Sequence, residues 1–235
     1  MAASKSKETA KREADRVSSG IPGLDKLIGG GYIVNDIYLV TGGTGTGKTL
    51  FCCQFLWEGL QKGEKSIFFS LEELPDDVLH DAAVFGWDFQ KYISSGMFSI
   101  EYQDPFEMVD IASMVREKIQ KFGAKRIVID STSIFGMVFE KEHELRKSLY
   151  NLIKQLKGID CVVLMTAEVV EGSKGLSRYG VEEFVVDGVI TLASTNVGGE
   201  FFLNLQVKKM RRTPHEKGLY PYEISTKGIE ILSSK

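Results

Sequence analysis

The segment LVTGGTGTGKTLF (residues 39–51) places four glycines within six positions, directly after an apolar run. Glycine costs backbone entropy and buries little surface, so such a cluster marks a place where the main chain bends sharply or approaches a ligand closely. The spacing from Gly42 to Gly47, Lys48 and Thr49 is that of a phosphate-binding loop, in which backbone N–H groups and a helix N-terminus surround phosphate oxygens. The alternative is a glycine turn that matches this spacing by chance.

Each residue type in this phosphate loop has a place in nucleotide chemistry. Lys48 is expected to reach the β- and γ-phosphates as a point charge, and the Thr49 hydroxyl is expected to ligate Mg²⁺. The sequence therefore predicts a site for ATP or ADP with Mg²⁺. The predicted nucleotide-binding residues are Gly42, Gly43, Thr44, Gly45, Thr46, Gly47, Lys48, Thr49 and Leu50.

Carboxylates at the ends of two other apolar runs are candidates for the rest of a hydrolytic site. Asp130 ends the run RIVID and is predicted to be the second Mg²⁺ ligand, although an Asp at a strand end also commonly caps the following turn. Glu72 and Glu73 end the run SIFFSLEE, and solvated surface carboxylates are the alternative for them. If their strand lies beside the strand that precedes the phosphate loop, one of them faces the γ-phosphate. We predict that Glu72 is the principal base for the attacking water, that Glu73 assists it, and that Lys48 is the third catalytic residue.

Alternating apolar runs and helix-periodic stretches must position these residues. Runs rich in β-branched and aromatic residues predict strands at 37–40, 66–71, 98–102, 126–130 and 161–166. The stretches between them predict helices at 49–61, 75–85, 106–122 and 142–157, each ending near a glycine. Strands that alternate with helices pair in parallel through right-handed crossovers, so the predicted fold class is α/β, with three layers and a mainly parallel sheet. Strands with short turns after residue 187 predict an antiparallel C-terminal extension at one edge of this sheet.

The bulk composition narrows the class of protein. The 235 residues carry a formal net charge of −3, which does not indicate a protein that coats DNA through a basic excess. No stretch reaches the roughly eighteen uncharged apolar residues that a membrane helix needs, and Cys52, Cys53 and Cys161 show neither metal-site nor disulfide spacing. We therefore expect a cytoplasmic protein without membrane contact. Residues 1–16 are predicted to be a flexible polar tail, and residues 17–235 are predicted to form one domain.

Six segments form a pattern that is more specific than the phosphate loop alone. In chain order they are SSGIPGLDKLIGGGYIVNDIYLVTGGTGTGKTLF, FFSLEELPDD, FGWD, RIVIDS, SRYGVEEFVVDGVI and KKMRRTPHEKGLYPYEI. Together they resemble the KaiC family of RecA-superfamily ATPases, over residues 17–235. The resemblance implies a RecA-like core that hydrolyses ATP and assembles into a hexameric ring, with ATP held between subunits and with Glu72 and Glu73 as a catalytic pair. The residues that it brings to the adjacent subunit's nucleotide are Lys209, Arg211, His215 and Lys217.

The resemblance does not carry over completely. The clock proteins of this family have two such domains in tandem, whereas one is visible here, so we expect a single-domain KaiC-like ATPase with a regulatory or signalling role. Their autokinase activity is not carried over. Alternation along LQVKKMRR predicts that Lys209 and Arg211 share one strand face with Val207, and a solvated basic strand end is the alternative.

Two other functions stay open on the sequence. A RecA/RadA-type recombinase would bind DNA through the loop VVEGSKGLSR (169–178). This loop offers only Lys174 and Arg178 as cations against Glu171, with no aromatic residue before Tyr179, so DNA is not an expected partner. The other function is an ATP-dependent interaction module with little turnover, in which the ring recruits a protein partner that the sequence does not identify.

Overall fold

A nine-stranded sheet forms the centre of the protein and a two-stranded sheet accompanies it, within the residues that the computed structural model describes (15–107, 110–139, 141–170, 173 and 175–232). The strands, in chain order, are β1 (Arg16–Val17), β2 (Tyr32–Ile33), β3 (Ile37–Gly42), β4 (Ser66–Ser70), β5 (Phe98–Tyr102), β6 (Arg126–Asp130), β7 (Val162–Glu168), β8 (Gly188–Val197), β9 (Glu200–Met210), β10 (Tyr220–Ser225) and β11 (Gly228–Ile231). The helices are α1 (Leu24–Leu27), α2 (Lys48–Gln61), α3 (Pro75–Val84), α4 (Phe89–Ser94), α5 (Ile111–Phe122), α6 (Phe135–Val138), α7 (Glu142–Leu156) and α8 (Glu182–Val185).

The large sheet is mainly parallel, with the strand order β11-β10-β9-β8-β3-β7-β6-β4-β5. The predicted antiparallel extension is present, but it begins at β9. The strand β8, which the prediction included in the extension, pairs in parallel with β3, from Tyr38 opposite Gly188 to Gly42 opposite Leu192. The connection from β7 to β8 spans residues 169–187, which is long enough for the crossover that a parallel pair requires.

Helices cover both faces of the large sheet and form the predicted three layers. Alternate residues of β3 point to opposite faces, so Val40 lies in one apolar core and Leu39 in the other. The first core includes Phe55 of α2 and residues of α3 and α4, and the second includes Leu149 of α7 and residues of α5. None of the helices in the described ranges combines the length and the hydrophobicity that crossing a bilayer requires.

The predicted start of one helix is wrong. The helix predicted over 106–122 begins at Ile111, because the Asp110 side chain accepts a hydrogen bond from the backbone N–H of Ser113 and starts the helix there. A separate 3₁₀ turn occupies Pro105–Glu107. Arg16, which the prediction assigned to the tail, lies in β1, and residues 1–14 of that tail are outside the described ranges.

Candidate active site

The phosphate loop connects β3 to α2, at the carboxyl edge of the parallel strands. A side chain at Gly42 would place its Cβ atom 2.2 Å from the carbonyl oxygen of Leu192, so only glycine fits there. At Gly43 and Gly45, by contrast, no atom lies within 4 Å of the position that a Cβ would take. Gly45 also has a φ of +76°, in the left-handed region that favours glycine. The main chain of the loop therefore faces open space that can admit phosphate oxygens, with Leu50 behind it in the first turn of α2.

Hydrogen bonds hold the loop in shape from inside and from the C-terminal strands. The Thr46 hydroxyl donates to the Gly43 carbonyl at 2.8 Å, and the Lys48 ammonium donates to the same oxygen at 3.0 Å. From β10, the Tyr222 hydroxyl donates to the carbonyl of Thr46 at 2.6 Å. Gln54 of α2 exchanges two hydrogen bonds with the backbone of residue 229 in β11, at 3.0 and 2.7 Å. Strands β10 and β11 thus stabilise the loop and the start of α2.

Asp130 and Thr49, which the sequence predicts to be metal ligands, are in direct contact. The Thr49 hydroxyl donates to one carboxylate oxygen of Asp130 at 2.6 Å, and the Thr166 hydroxyl donates to the other. Burial raises the pKa of Asp130, while the hydrogen bonds from Thr166 and Thr49 and the charge of Lys48 act in the opposite direction. A hydroxyl and a carboxylate are the oxygen ligands that Mg²⁺ takes beside nucleotide phosphates, so this pair fits that ion.

Glu72 lies close to Asp130, but its strand has a different neighbour in the sheet from the one that the prediction considered. Its strand β4 is not beside β3, because β7 and β6 lie between them. Instead β4 pairs with β6, with Ser70 opposite Asp130, and the Ser131 hydroxyl donates to the Glu72 carboxylate at 2.6 Å. The side chain is exposed, yet partial desolvation and the charge of Asp130 raise the pKa of Glu72 against the effects of Ser131 and Lys48.

Glu73 shares this acidic environment but is held differently. Its carbonyl, not its carboxylate, accepts the hydroxyl of Ser70. Partial desolvation and then the charges of Asp130, Asp81 and Glu72 raise the pKa of the Glu73 carboxyl. Of the two predicted glutamates, Glu72 is therefore the one whose carboxylate is oriented by a neighbouring hydroxyl.

Glu168 belongs to the same edge and is absent from the predicted site. It ends β7 opposite Gly42, and its backbone N–H donates to the Ser133 hydroxyl at 2.7 Å. Its carboxylate lies 3.5 Å from the guanidinium of Arg178. The sequence did contain a signal for it, because Glu168 follows the predicted strand 161–166 by two residues. Parallel strands bring their carboxyl ends to one edge, so a carboxylate at that position could have been added to the predicted site.

The profile of the KaiC ATPase family matches residues 17–235. This chain belongs to the KaiC family. The crystal structure of a KaiC-like protein from Pyrococcus horikoshii OT3 is similar to it with a TM-score of 0.87 and 38% identity, over 94% of this chain and 100% of that chain. The family and the RecA-like α/β fold predicted from the sequence are confirmed.

Relatives of two lengths share the KaiC sequence pattern with this chain. A UPF0273 protein of Methanopyrus kandleri is 34% identical over 238 residues, which is 94% of this chain and 93% of that protein. The circadian clock oscillator protein KaiC of Synechococcus elongatus is 35% identical over 223 residues, which is 90% of this chain but 43% of the clock protein. The matched region is therefore less than half of the clock protein.

In this KaiC-family chain Lys209 and Arg211 lie near the opposite edge of the sheet from the phosphate loop. Lys209 pairs with Val189 of β8, and the backbone N–H of Arg211 donates to Asp187 at 2.8 Å. Asp187 in turn bonds to Ile37, the first residue of β3. Gly42 lies five positions after Ile37 in β3, or roughly 16 Å further along at about 3.3 Å per residue. Lys209 and Arg211 are thus not brought to the phosphate loop of their own chain.

The predicted face of Lys209 is wrong. A register shift in the β8–β9 pair sets Val189 opposite Lys209 and Ile190 opposite Val207, which leaves Lys208 as an extra residue. Lys209 therefore lies on the face of the second apolar core with Val189, while Val207 faces the first core with Ile190. A bulge of this kind reverses strict alternation, which is why alternation alone misplaced the side chain.

His215 and Lys217 lie in the segment between β9 and β10. The His215 ring nitrogen Nδ1 is 2.9 Å from the carbonyl oxygen of Glu216, and the Lys217 carbonyl accepts a hydrogen bond from Gln206 at 3.1 Å. The backbone N–H of Glu216 donates to Leu27 of α1, which fixes the segment against the body of the protein. Lys217 is exposed and His215 is half-buried.

Proposed function

We propose that the protein is a Mg²⁺-dependent ATPase that hydrolyses ATP to ADP and phosphate. The observation that carries the proposal is the 2.6 Å contact between the Thr49 hydroxyl and the Asp130 carboxylate. Thr49 follows Lys48, the first residue of α2. These groups are the ones that P-loop ATPases use to hold the metal and the terminal phosphates. Membership of the KaiC ATPase family supports the same chemistry.

Each polar residue of the site has a separate task in this proposal. Lys48 exchanges the Gly43 carbonyl for phosphate oxygens and neutralises part of their charge. Thr49 and Asp130 would hold Mg²⁺, which would neutralise further charge on the β- and γ-phosphates. Glu72 orients the attacking water and accepts its proton, and its raised pKa makes it a stronger base than an ordinary surface carboxylate. Glu73 assists as a second nearby negative charge.

We also propose that this site is shared between subunits of a hexameric ring. The chain's own Arg211 is roughly 16 Å along the sheet from its phosphate loop, measured at about 3.3 Å per strand residue, so it serves a different nucleotide. Its side chain is 46% exposed and can reach outward. Arg211 then supplies the extra cation for charge on the neighbour's γ-phosphate, with Lys209, His215 and Lys217 on the same contacting surface.

Turnover and ligand binding test the catalytic assignment. Lys48→Ala is expected to abolish the thermal stabilisation that ATP gives, because the phosphates lose their main counter-charge. Glu72→Gln keeps size and hydrogen bonding, so ATP still binds while turnover falls by a factor on the order of 10²–10⁴. Glu73→Gln is the matched control and loses less. If Glu72→Gln, Glu73→Gln and the double variant all turn over at the parent rate, the water-activating role belongs elsewhere, with Glu168 as the next carboxylate to test.

Mass in solution tests the ring. We expect ATP to favour a hexamer, because a nucleotide between subunits adds contacts to both. A protein that stays monomeric at saturating ATP and still hydrolyses it at full rate would remove the shared site from the proposal.

The cellular role that we propose is regulatory or signalling, in the cytoplasm, with residues 17–235 acting as one ATPase domain and a protein partner coupled to the ATP cycle. Turnover per subunit separates this function from an interaction module with little hydrolysis. Stimulation of turnover by single-stranded DNA would favour the recombinase instead. Of the loop 169–178 on which that alternative depends, Glu171 and Lys174 are outside the described residues.

A further inference from the structure

The segment around Arg178 lies against the carboxyl edge of the sheet, and the proposed function gives it no task. The Thr41 hydroxyl, one residue before the phosphate loop, donates to the carbonyl of Leu176 at 2.6 Å. On the other side, the Tyr179 hydroxyl donates at 2.5 Å to the carbonyl of Ser133, in the turn that follows β6. The backbone on both sides of Arg178 is therefore fixed to the ends of β3 and β6.

The side chain of Arg178 is held more loosely than its backbone. Its guanidinium lies 3.5 Å from the Glu168 carboxylate, which is longer than an ordinary N–H···O hydrogen bond. The two side chains are 46% and 36% exposed, and solvent screens an ion pair of this kind, so it contributes little to stability. The guanidinium can therefore exchange Glu168 for a stronger acceptor at small cost.

Glu168 lies beside the place where the phosphate loop would hold a terminal phosphate. It ends β7 opposite Gly42, and the backbone N–H of Val169 donates to the Gly42 carbonyl at 3.1 Å. Burial is the main cause that raises the pKa of Asp130 and of Glu72, and the charge of Glu168 raises both further. Its carboxylate is thus within electrostatic reach of the predicted metal ligand and of the proposed base. A γ-phosphate bound among these groups would lie close to the guanidinium that Glu168 holds.

Such a phosphate would be a better partner for the guanidinium than Glu168 is. Arginine donates two parallel N–H bonds to a phosphate, and charge-assisted pairs of this kind are short and strong. Glu168 would itself repel the phosphate, which favours the exchange further. ADP has no γ-phosphate to offer, so the exchange distinguishes the two nucleotides.

We propose that Arg178 binds the γ-phosphate of ATP in the phosphate loop of its own chain, and that Glu168 holds the guanidinium beside the site until ATP arrives. Arg178 is then a binding residue that favours ATP over ADP, whereas Arg211 serves the neighbour's nucleotide. The recombinase alternative counted Arg178 as a contact to DNA. Its assignment to the γ-phosphate rests on the proposed function, because it needs ATP in the phosphate loop.

The test compares the affinities for ADP and for the β,γ-imido analogue of ATP, which is not hydrolysed, by calorimetry in the presence of Mg²⁺. The variants are Arg178→Gln, Arg178→Lys, Glu168→Gln and the double variant Arg178→Gln with Glu168→Gln. Lys125→Gln and Asp160→Asn are the matched controls. Lys125 and Asp160 also form an exposed ion pair, but they precede β6 and β7 and lie at the amino edge of the sheet.

The two partners are expected to act in opposite directions. Arg178→Gln should lower the affinity for the ATP analogue by about tenfold, because a charge-assisted contact is lost, and should leave that for ADP within about twofold of the parent. Glu168→Gln should raise the affinity for the analogue by about threefold, because it frees the guanidinium and removes a repelling charge. Arg178→Lys keeps the charge without the planar fork, so it should lie between Arg178→Gln and the parent. Both controls should bind like the parent.

The double variant separates a contact with phosphate from simple neutralisation of Glu168. If Arg178 contacts the phosphate, its replacement still costs about tenfold in affinity for the analogue in the Glu168→Gln background. A double variant that binds like Glu168→Gln alone would overturn the proposal. Equal losses in Arg178→Gln and Glu168→Gln would also overturn it, because breaking a merely structural pair from either side has the same effect. A loss in Arg178→Gln that is equal for ADP and the analogue would exclude the γ-phosphate as the partner.

Lys48→Ala distinguishes failure of this inference from failure of the proposed function. If Lys48→Ala loses both nucleotides while Arg178→Gln keeps the parent's preference for the ATP analogue, only the role of Arg178 is refuted. If Lys48→Ala binds both nucleotides with the parent's affinity, the phosphate loop is not the site, and the proposed function and the role of Arg178 fail together.

Discussion

Removal of the Ser131 hydroxyl should move the acid limb of the pH–rate profile to higher pH. This hydroxyl donates to the Glu72 carboxylate at 2.6 Å and stabilises its charged form. Ser131→Ala therefore makes the carboxylate easier to protonate. Partial desolvation already raises the pKa of Glu72, and loss of this hydrogen bond raises it further. Because the proposed base acts only when it is deprotonated, the variant should lose activity first on the acid side.

The size of the effect follows from the type of contact. A hydrogen bond to a charged acceptor contributes roughly 1.5–3 kcal/mol. Glu72 is exposed and solvent screens this contact, so we take about 1 kcal/mol. Since about 1.4 kcal/mol is a factor of ten in an equilibrium constant, the deprotonated fraction on the acid limb falls by about fivefold. At pH values well above the limb, parent and variant should turn over at nearly the same rate.

The assay is kcat at saturating ATP and Mg²⁺ from acidic to mildly alkaline pH, for the parent, Ser131→Ala and Ser70→Ala. Ser70→Ala is the matched control, because the Ser70 hydroxyl bonds to the carbonyl of Glu73 and leaves the Glu72 carboxylate untouched. An acid limb in Ser131→Ala that coincides with the parent's, in a variant that folds and binds ATP, would refute Glu72 as the titrating base. An equal shift in Ser70→Ala would mean that the shift does not come from the hydrogen bond to Glu72, and would also refute the reasoning.

Three further measurements test the proposed arginine finger, the fit of the phosphate loop and the binding of DNA. Arg211→Ala should bind ATP nearly normally and lose most of its turnover, on the order of 10³-fold or more, the effect of removing an arginine finger; unchanged kcat would exclude that role. Gly42→Ala should lower the free energy of unfolding by about 1–3 kcal/mol without nucleotide, because the new Cβ would meet the Leu192 carbonyl at 2.2 Å. Gly43→Ala, whose Cβ would point into open space, should unfold like the parent in the same denaturant titration. Single-stranded DNA should bind weakly at physiological salt, and a tight complex whose log–log salt slope corresponds to several phosphate contacts would contradict this expectation.

Much of the candidate active site could be predicted because its determinants are local. The phosphate loop is a contiguous spacing of residues, and the runs that precede Asp130 and Glu72 have the composition of buried strands. The observed bounds of β4 and β6 differ from the predicted ones by at most one residue. Since parallel strands share a carboxyl edge, these local patterns were enough to predict that Asp130 and Thr49 lie close together.

What could not be predicted depends on contacts between distant parts of the chain. The order of strands places β7 and β6 between Glu72 and the phosphate loop, and no local pattern encodes that order. The face of Lys209 depends on a one-residue bulge, which reverses alternation without changing the composition of the strand. The helix α8 has four residues and accepts hydrogen bonds from Lys209, which is 27 positions away from its first residue. Such an element has too little sequence of its own to be recognised by periodicity.

The bracing of the phosphate loop by β10 and β11 has a consequence for how the protein matures on the ribosome. The loop leaves the ribosome well before Tyr222, whose hydroxyl bonds to Thr46, and before the strand that binds Gln54. Until residues 220–231 leave the exit tunnel, the start of α2 lacks these partners and the nascent chain has no finished cradle for phosphate. We therefore expect tight nucleotide binding only from chains that have been translated through β10 and β11. A ribosome stalled before Tyr220 would hold a polypeptide that contains the whole glycine-rich motif, and we expect this nascent chain to retain ATP less well than the completed domain.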